Sequence, residues 1–253
     1  MSFKLLIGMP IISRDAEIVQ HSLKALSEQL RKDGSPLYTS LDVLLVTRSS
    51  DYTLIMNSVN KFRENRRFNV TIHRVKDYSI SERHNLKYVA KKRQYILKYA
   101  ADNAYDALLF LDADVIMNSD TLHDMIFCCT SDVTICSYKP CWGTERILCA
   151  KTDKLFSLDE FEKKTDPLPT CISIKGGGLG CALIRKSAFH VPIVIGSYKV
   201  HDDLSIDGED VGFFQNCFKY GVSVCCLTGN RVSHEPVLEK SKENSQTRVN
   251  KQE

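Results

Sequence analysis

The chain has 253 residues, 43% hydrophobic and 26% charged, with a formal net charge of +3, which suits one large α/β domain of ordinary globular composition. So small a charge gives no ground for a nucleic-acid or anionic-membrane partner, and no run of about 18 apolar residues is present to cross a bilayer. Ten cysteines include the adjacent pairs Cys128-Cys129 and Cys225-Cys226, with no CxxC spacing; together with an N-terminus that runs into a strand, they predict buried reduced thiols in a cytoplasmic protein.

Residues 3–12 form a near-continuous apolar run, a buried strand with Pro10 at its end, where a missing N–H matters least. Ser13 suits an N-cap, with Asp15 and Glu17 in the first turn. Ile18, Val19, Leu23, Leu26 and Leu30 follow at helical spacing, and Gly34 suits the stop. Residues 41–47 repeat the strand pattern and end in Arg48-Ser-Ser-Asp51. A helix with Leu54, Ile55, Val59 and Phe62 inward leads to a third strand over 68–75. This β-α-β-α-β order predicts a doubly wound, mainly parallel sheet. A longer helix over 81–103 carries the stripe Leu86, Val89, Ala90, Ile96, Leu97 and Ala100. Arg93 falls on that inward stripe and so needs an anion, either a diphosphate or an acidic side chain. Pairing with a merely structural carboxylate is the plain alternative.

The next apolar run, 107–111, ends in Asp112-Ala113-Asp114. On a strand the two acids would share a face. Their repulsion at the edge of a core is relieved by a divalent cation or a hydrogen-bond network. Ser119 can cap a short helix with Leu122, Met125, Ile126 and Cys129 inward, and a strand follows over 132–138. Residues 141–170 hold the only tryptophan, Trp142, and Pro167-Leu-Pro169; they read as a long irregular insertion, either a mobile flap or a loop facing an acceptor. Two strands, 171–175 and 181–185, flank Gly176-Gly-Gly-Leu-Gly180. Such a turn permits close backbone approach to a ligand, or simply a bulge at a sheet bend. Asp202, Asp203, Asp207, Glu209 and Asp210 crowd the start of a helix with Val211, Phe214, Cys217 and Phe218 inward and Gly221 at its end. Helix capping explains one acid there, not two. A last strand over 222–227 precedes His234, and the polar stretch 238–253 predicts a disordered tail.

Four motifs stand in an informative order: Leu109-Phe-Leu-Asp-Ala-Asp-Val115, preceded by Ala90-Lys-Lys-Arg93 and followed by Gly208-Glu-Asp-Val-Gly-Phe213 and Val232-Ser-His234. Over residues 3–236 this order resembles the GT-A fold nucleotide-sugar glycosyltransferases, nearest to inverting enzymes of the family-2 type. Two positions depart from that pattern: Gln94 stands where Asn usually follows the Arg, and Arg48-Ser-Ser-Asp51 replaces the usual Asp-Asp-x-Ser. The resemblance implies a domain over 1–237, with a nucleotide-binding half at 1–117 and an acceptor-binding half at 118–237, and a small antiparallel element near the site. It implies a hexosyl- or pentosyltransferase using a UDP-sugar, or second a GDP-sugar, on a glycan or glycoconjugate acceptor. Asp112, Asp114 and His234 would hold Mn2+ or Mg2+. Asp210 would be the general base, with Glu209 beside it. Pro10, Arg14, Asp51, Arg93, Asp112 and Ala113 would face the donor, and Trp142, Gly177, Gly178 and Asp207 the acceptor and sugar. The lack of an N-terminal anchor segment adds to the expectation of a cytoplasmic enzyme, or of one domain of a longer chain. The competing readings are a haloacid-dehalogenase-type phosphatase with Asp112 as nucleophile, a sugar nucleotidyltransferase, and a binding module without catalysis. The phosphatase motif ends a first strand, and the nucleotidyltransferase needs a glycine-rich basic loop where this chain has Ile11-Ile-Ser-Arg14.

Overall fold

The computed structural model describes residues 3–12, 15–38, 40–63, 68–76, 85–136, 146–150, 155–157, 171–201, 204–228 and 232–234. Arg14, Trp142 and the 238–253 tail lie outside them. The chain opens with β1 (Leu5–Pro10), α1 (Val19–Ser27), β2 (Leu41–Arg48), α2 (Tyr52–Arg63), β3 (Phe68–Val75), α3 (Asn85–Asp102) and β4 (Ala107–Leu111). Next come β5 (Val115–Ile116), α4 (Thr121–Phe127), β6 (Val133–Cys136), β7 (Arg146–Ala150), β8 (Leu155–Ser157), β9 (Cys171–Ser173), β10 (Gly176–Gly177) and β11 (Cys181–Arg185). The last elements are β12 (Gly196–His201), β13 (Leu204–Gly208), α5 (Glu209–Lys219), β14 (Val224–Leu227) and β15 (Ser233–His234).

Eight strands form one sheet in the order β3-β2-β1-β4-β11-β6-β14-β9. Its first half is parallel, as the β-α alternation predicts. β11 then inserts antiparallel between β4 and β6. Successive residues feed opposite faces of the sheet, so that Ile7, Leu45 and Leu109 pack with Leu23 of α1, Val59 of α2 and Met125 of α4. Leu6, Leu44 and Phe110 pack with Ile96 of α3 and Phe213 of α5 on the other side. Apolar burial on both faces is why these strands read as unbroken hydrophobic runs. α5 comes so close to the segment before β12 that a Cβ on Gly212 would collide with the Val194 carbonyl.

The structure corrects several expectations. Leu54, Leu86 and Phe218 are exposed, and on α5 Phe213 takes the inward place instead. α1 starts at Val19 rather than after Ser13, because Asp15 turns back and accepts the Ile12 N–H at 2.9 Å. Ser119 does not cap α4. Asp120 occupies that position without a side-chain cap bond, and the Leu122 N–H is held instead by Gln29 Oε1 at 3.1 Å. The 141–170 insertion is not wholly irregular: β7 pairs antiparallel with β8 and with β10. The acidic 201–208 stretch includes β13, paired antiparallel with β12. Cys129 and Cys171 form a disulfide with Cα atoms 5.9 Å apart, contrary to the expectation that the cysteines are all reduced. The register of β9 on β14 sets Cys171 opposite Leu227, which brings it over the C-terminal end of α4, where Cys129 waits. The sequence spacing carries no sign of that juxtaposition.

Candidate active site

The acids of the site sit where a strand gives way to a turn or helix, and Arg93 reaches them from the middle of α3. β4 is fully buried to Leu111, and the chain then leaves the sheet. Asp112 and Asp114 therefore lie in a tight turn, not on a shared strand face as simple alternation predicts. The Val115 N–H closes this turn on the Asp112 carbonyl at 3.1 Å, and the Asp112 N–H donates to the Gly180 carbonyl at 2.8 Å. Ala113 is buried, and its carbonyl accepts the Ser22 hydroxyl at 2.6 Å; the same hydroxyl lies 2.9 Å from the Val115 carbonyl. Ser22 of α1 thus pins the carboxylate turn from below, a role no motif announces. Directly after the turn, β5 pairs antiparallel with β15, setting His234 opposite Val115. Backbone pairing thus sets the late histidine opposite the residue that follows the second carboxylate.

From the other side α3 delivers Arg93, only 4% exposed. Its guanidinium donates to Asp112 Oδ1 at 2.6 Å through one terminal nitrogen and to Glu209 Oε1 at 2.8 Å through the other. The acidic partner expected of an inward arginine is therefore two partners, one from each of the two acidic motifs. Gln94, the departure from the family pattern, acts as a tie between elements. Its Oε1 accepts the Ile193 N–H at 2.7 Å and so holds α3 to the segment before β12.

Glu209 and Asp210 begin α5, where the helix dipole favours acids. Burial nevertheless pushes the Glu209 pKa up; Arg93 opposes this, and Asp210 and Asp112 reinforce it. Burial also raises the Asp210 pKa, against the pull of Arg93 and of the Val211 N–H, which Asp210 Oδ1 accepts at 2.8 Å. A carboxylate whose pKa is raised by desolvation is a stronger base once ionised.

The remaining predicted residues are less closely joined. Pro10 ends β1. Asp51 is buried at the start of α2, with both oxygens taken by Arg48 at 2.7 and 3.1 Å, an arrangement that fits a local brace as well as a ligand contact. Gly177 pairs with Cys149 in β10, Gly178 is buried beyond it, and Asp207 is exposed on β13 opposite Ser197. Sequence reasoning also passes over Lys92, which reads only as a flank of Arg93. This lysine is 1% exposed, and its Nζ donates to the Ile11 carbonyl at 2.5 Å. Burial lowers its pKa to about 8, although Asp15 and Asp51 pull the other way. Between β3 and α3 a cavity of about 360 Å3 is lined by Lys92 with Arg74, Lys76, Lys91, Tyr88 and Tyr95, a basic and aromatic setting.

No family model matches the sequence, and no curated protein matches it. Solved structures do match by fold. GalNAc-T7 with UDP, GalNAc and Mn2+ superposes with a TM-score of 0.57 at 12% identity, over 92% of this chain and 44% of that one. The mannosyltransferase PcManGT from Pyrobaculum calidifontis, in complex with GDP-Man and Mn2+, gives 0.51 at 13% identity over 97% and 60%. The inositol-1-phosphate CTP transferase from T. maritima gives 0.51 at 9% identity over 97% and 95%. The chain thus spans about half the length of the two sugar-transferase structures and nearly all of the CTP transferase. Topology, the carboxylate turn after β4 and these superpositions agree, and the chain has the GT-A fold of the nucleotide-sugar glycosyltransferases it resembles.

Proposed function

We propose that the protein is a metal-dependent, inverting glycosyltransferase that moves a sugar from a nucleoside diphosphate to an acceptor hydroxyl. The observation that carries this reading is the Arg93 bridge. It gathers Asp112, from the turn suited to a donor diphosphate, and Glu209, from the helix start suited to an acceptor, around one guanidinium. Such transfer needs charge neutralised on the leaving group and a proton removed from the acceptor, at two points on opposite sides of one carbon.

The residues present fit a divalent cation. Asp112 and Asp114 would supply hard oxygen ligands from one turn, with His234, whose backbone pairs opposite Val115, as a further ligand. A bound Mn2+ or Mg2+ supplies Lewis-acid neutralisation of the departing diphosphate. The rest falls to the chain itself. Asp210 takes the acceptor proton, its Oδ1 fixed by the Val211 N–H. Glu209, anchored on Arg93, orients the reacting groups. The glycine stretch, whose Gly180 carbonyl accepts the Asp112 N–H, sets the floor near the sugar. A base distinct from the leaving-group side favours direct displacement with inversion, by the same geometry that governs inverting glycoside hydrolysis. UDP-sugars are the favoured donors and GDP-sugars the second choice. The UDP of the GalNAc-T7 structure and the GDP-Man of the Pyrobaculum enzyme support that pair.

A nucleotidyltransferase is the second reading, favoured by the near-complete overlap with the CTP transferase. Incubation with UDP- and GDP-sugars, and separately with nucleoside triphosphates plus sugar 1-phosphates, separates the two readings. Release of UDP or GDP with a product of inverted anomeric configuration supports the first. Release of pyrophosphate alone establishes the second.

A further inference from the structure

We propose that Arg93 is a resident counterion that competes with the divalent cation for Asp112. The inference rests on the reading of Asp112 and Asp114 as metal ligands. Arg93 is buried, and its two terminal nitrogens are committed to Asp112 and Glu209 at 2.6 and 2.8 Å. Asp112 keeps 31% of its side chain exposed, so a cation can reach it from solvent while the guanidinium holds it from inside. Asp112, Glu209 and Asp210 share that guanidinium as a source of positive potential, and Asp112 raises the pKa of both α5 acids. Arg93 holds only Oδ1 of Asp112, so a cation on Oδ2 meets a carboxylate whose charge the guanidinium already shares, and a cation that draws Asp112 fully outward must break a charge-assisted hydrogen bond; both weaken its binding. The nitrogen released from Asp112 then stays next to the diphosphate, while its partner remains on Glu209. Arg93 is thus a positioning residue that links donor arrival to the placement of the acceptor-side acids. Cation and donor bind cooperatively through it, because each makes the displacement of the other's competitor easier.

The test is Mn2+ binding followed by electron paramagnetic resonance on the wild type, Arg93→Met, Arg93→Lys and Asp114→Asn, with and without UDP as the probe. Thermal melts serve as the folding control. Without UDP, Arg93→Met binds Mn2+ about tenfold more tightly than the wild type, the worth of one charged hydrogen bond. Arg93→Lys keeps the charge but cannot span two carboxylates, and it also binds Mn2+ more tightly, by a smaller factor. In both variants the tightening of Mn2+ by UDP shrinks. If Arg93→Lys keeps wild-type affinity while Arg93→Met tightens, a general field effect replaces the competition, and the inference is overturned. Unchanged or weaker Mn2+ binding in a folded Arg93→Met overturns it as well. If Arg93→Met does not fold, Arg93→Lys alone decides between tighter binding and none. Absence of Mn2+ binding in the wild type, with no change in Asp114→Asn, overturns the metal-site reading itself, and the inference with it.

Discussion

At Asp210 two demands conflict. In the proposed role of general base it gains strength from burial, and the same burial costs stability whenever the group is ionised. Its folded pKa lies above the unfolded value, because burial outweighs the help of Arg93. Between those two values the folded state holds the proton more tightly, so this residue's contribution to stability falls as pH rises through them. Above both, the full cost is present; below the unfolded value of about 3.9 it is absent. Asp210→Asn keeps a side-chain oxygen for the Val211 N–H and removes the charge. The variant is expected to lose about 10²- to 10⁴-fold in transfer rate, to melt higher than the wild type at pH 7, and to lose that advantage by pH 4. Melts at the two pH values alongside a rate assay check both halves; a lower melting temperature at pH 7 would argue against a desolvated carboxylate. Ser22→Ala tests the support beneath the metal-side turn. It removes the hydrogen bond to the buried Ala113 carbonyl and is expected to cost about 1–3 kcal/mol in denaturant melts and to weaken Mn2+ binding. Asp112 and Asp114 stood out in the sequence because acids at the end of an apolar run are conspicuous, and Glu209 and Asp210 because two acids at a helix start exceed what capping needs. Ser22 and Lys92 were not, since a small hydroxyl on a helix and a lysine in a basic run carry no pattern. What makes them matter is a carbonyl about 90 and 81 residues away along the chain, respectively.

At the element scale, periodicity located the parallel strands and the major helices but misjudged the faces at their ends. Leu86 lies in the first turn of α3 and Phe218 in the last turn of α5, and each is exposed. The β12–β13 hairpin escaped notice although Tyr198 and Val200, and Leu204 and Ile206, alternate with polar residues, because each alternation is short and set among charged residues. Its value lies in its end: β13 runs directly into Glu209 and Asp210, and α5 sits tightly against the segment before β12 at Gly212. The added methyl of Gly212→Ala meets backbone on that segment, which cannot rotate away. The substitution is expected to cost about 1–3 kcal/mol and to lower transfer by shifting the α5 start; an unchanged denaturation midpoint would show that this packing yields easily. The Cys129–Cys171 disulfide joins the end of α4 to β9 across 42 residues of chain. Replacing both cysteines by serine is expected to cost about 2–4 kcal/mol. Alkylation before and after reduction, read by mass spectrometry, checks that the bond exists, and melts check its worth.

The whole molecule divides along its central sheet. Strands β1 to β4, all parallel, set three loop ends in a row, and Pro10, Asp51 and the carboxylate turn occupy them. Open α/β sheets bind ligands at such ends. The antiparallel β11 then lets the chain return under the turn, where Gly180 grips Asp112. The second half can thus place its acids against Arg93 of the first. That meeting of halves is why the order of motifs was informative when no single motif was: the two acidic motifs mark strand ends, and the Arg93 helix lies between them. The most direct measurement is the thermal shift of the protein across a panel of UDP- and GDP-sugars, with and without Mn2+, in the wild type and Asp114→Ala. The account predicts a rise in melting temperature for one nucleotide class that requires Mn2+ and disappears in Asp114→Ala. No shift with any sugar nucleotide, in a protein that binds a nucleoside triphosphate and releases pyrophosphate, would contradict it.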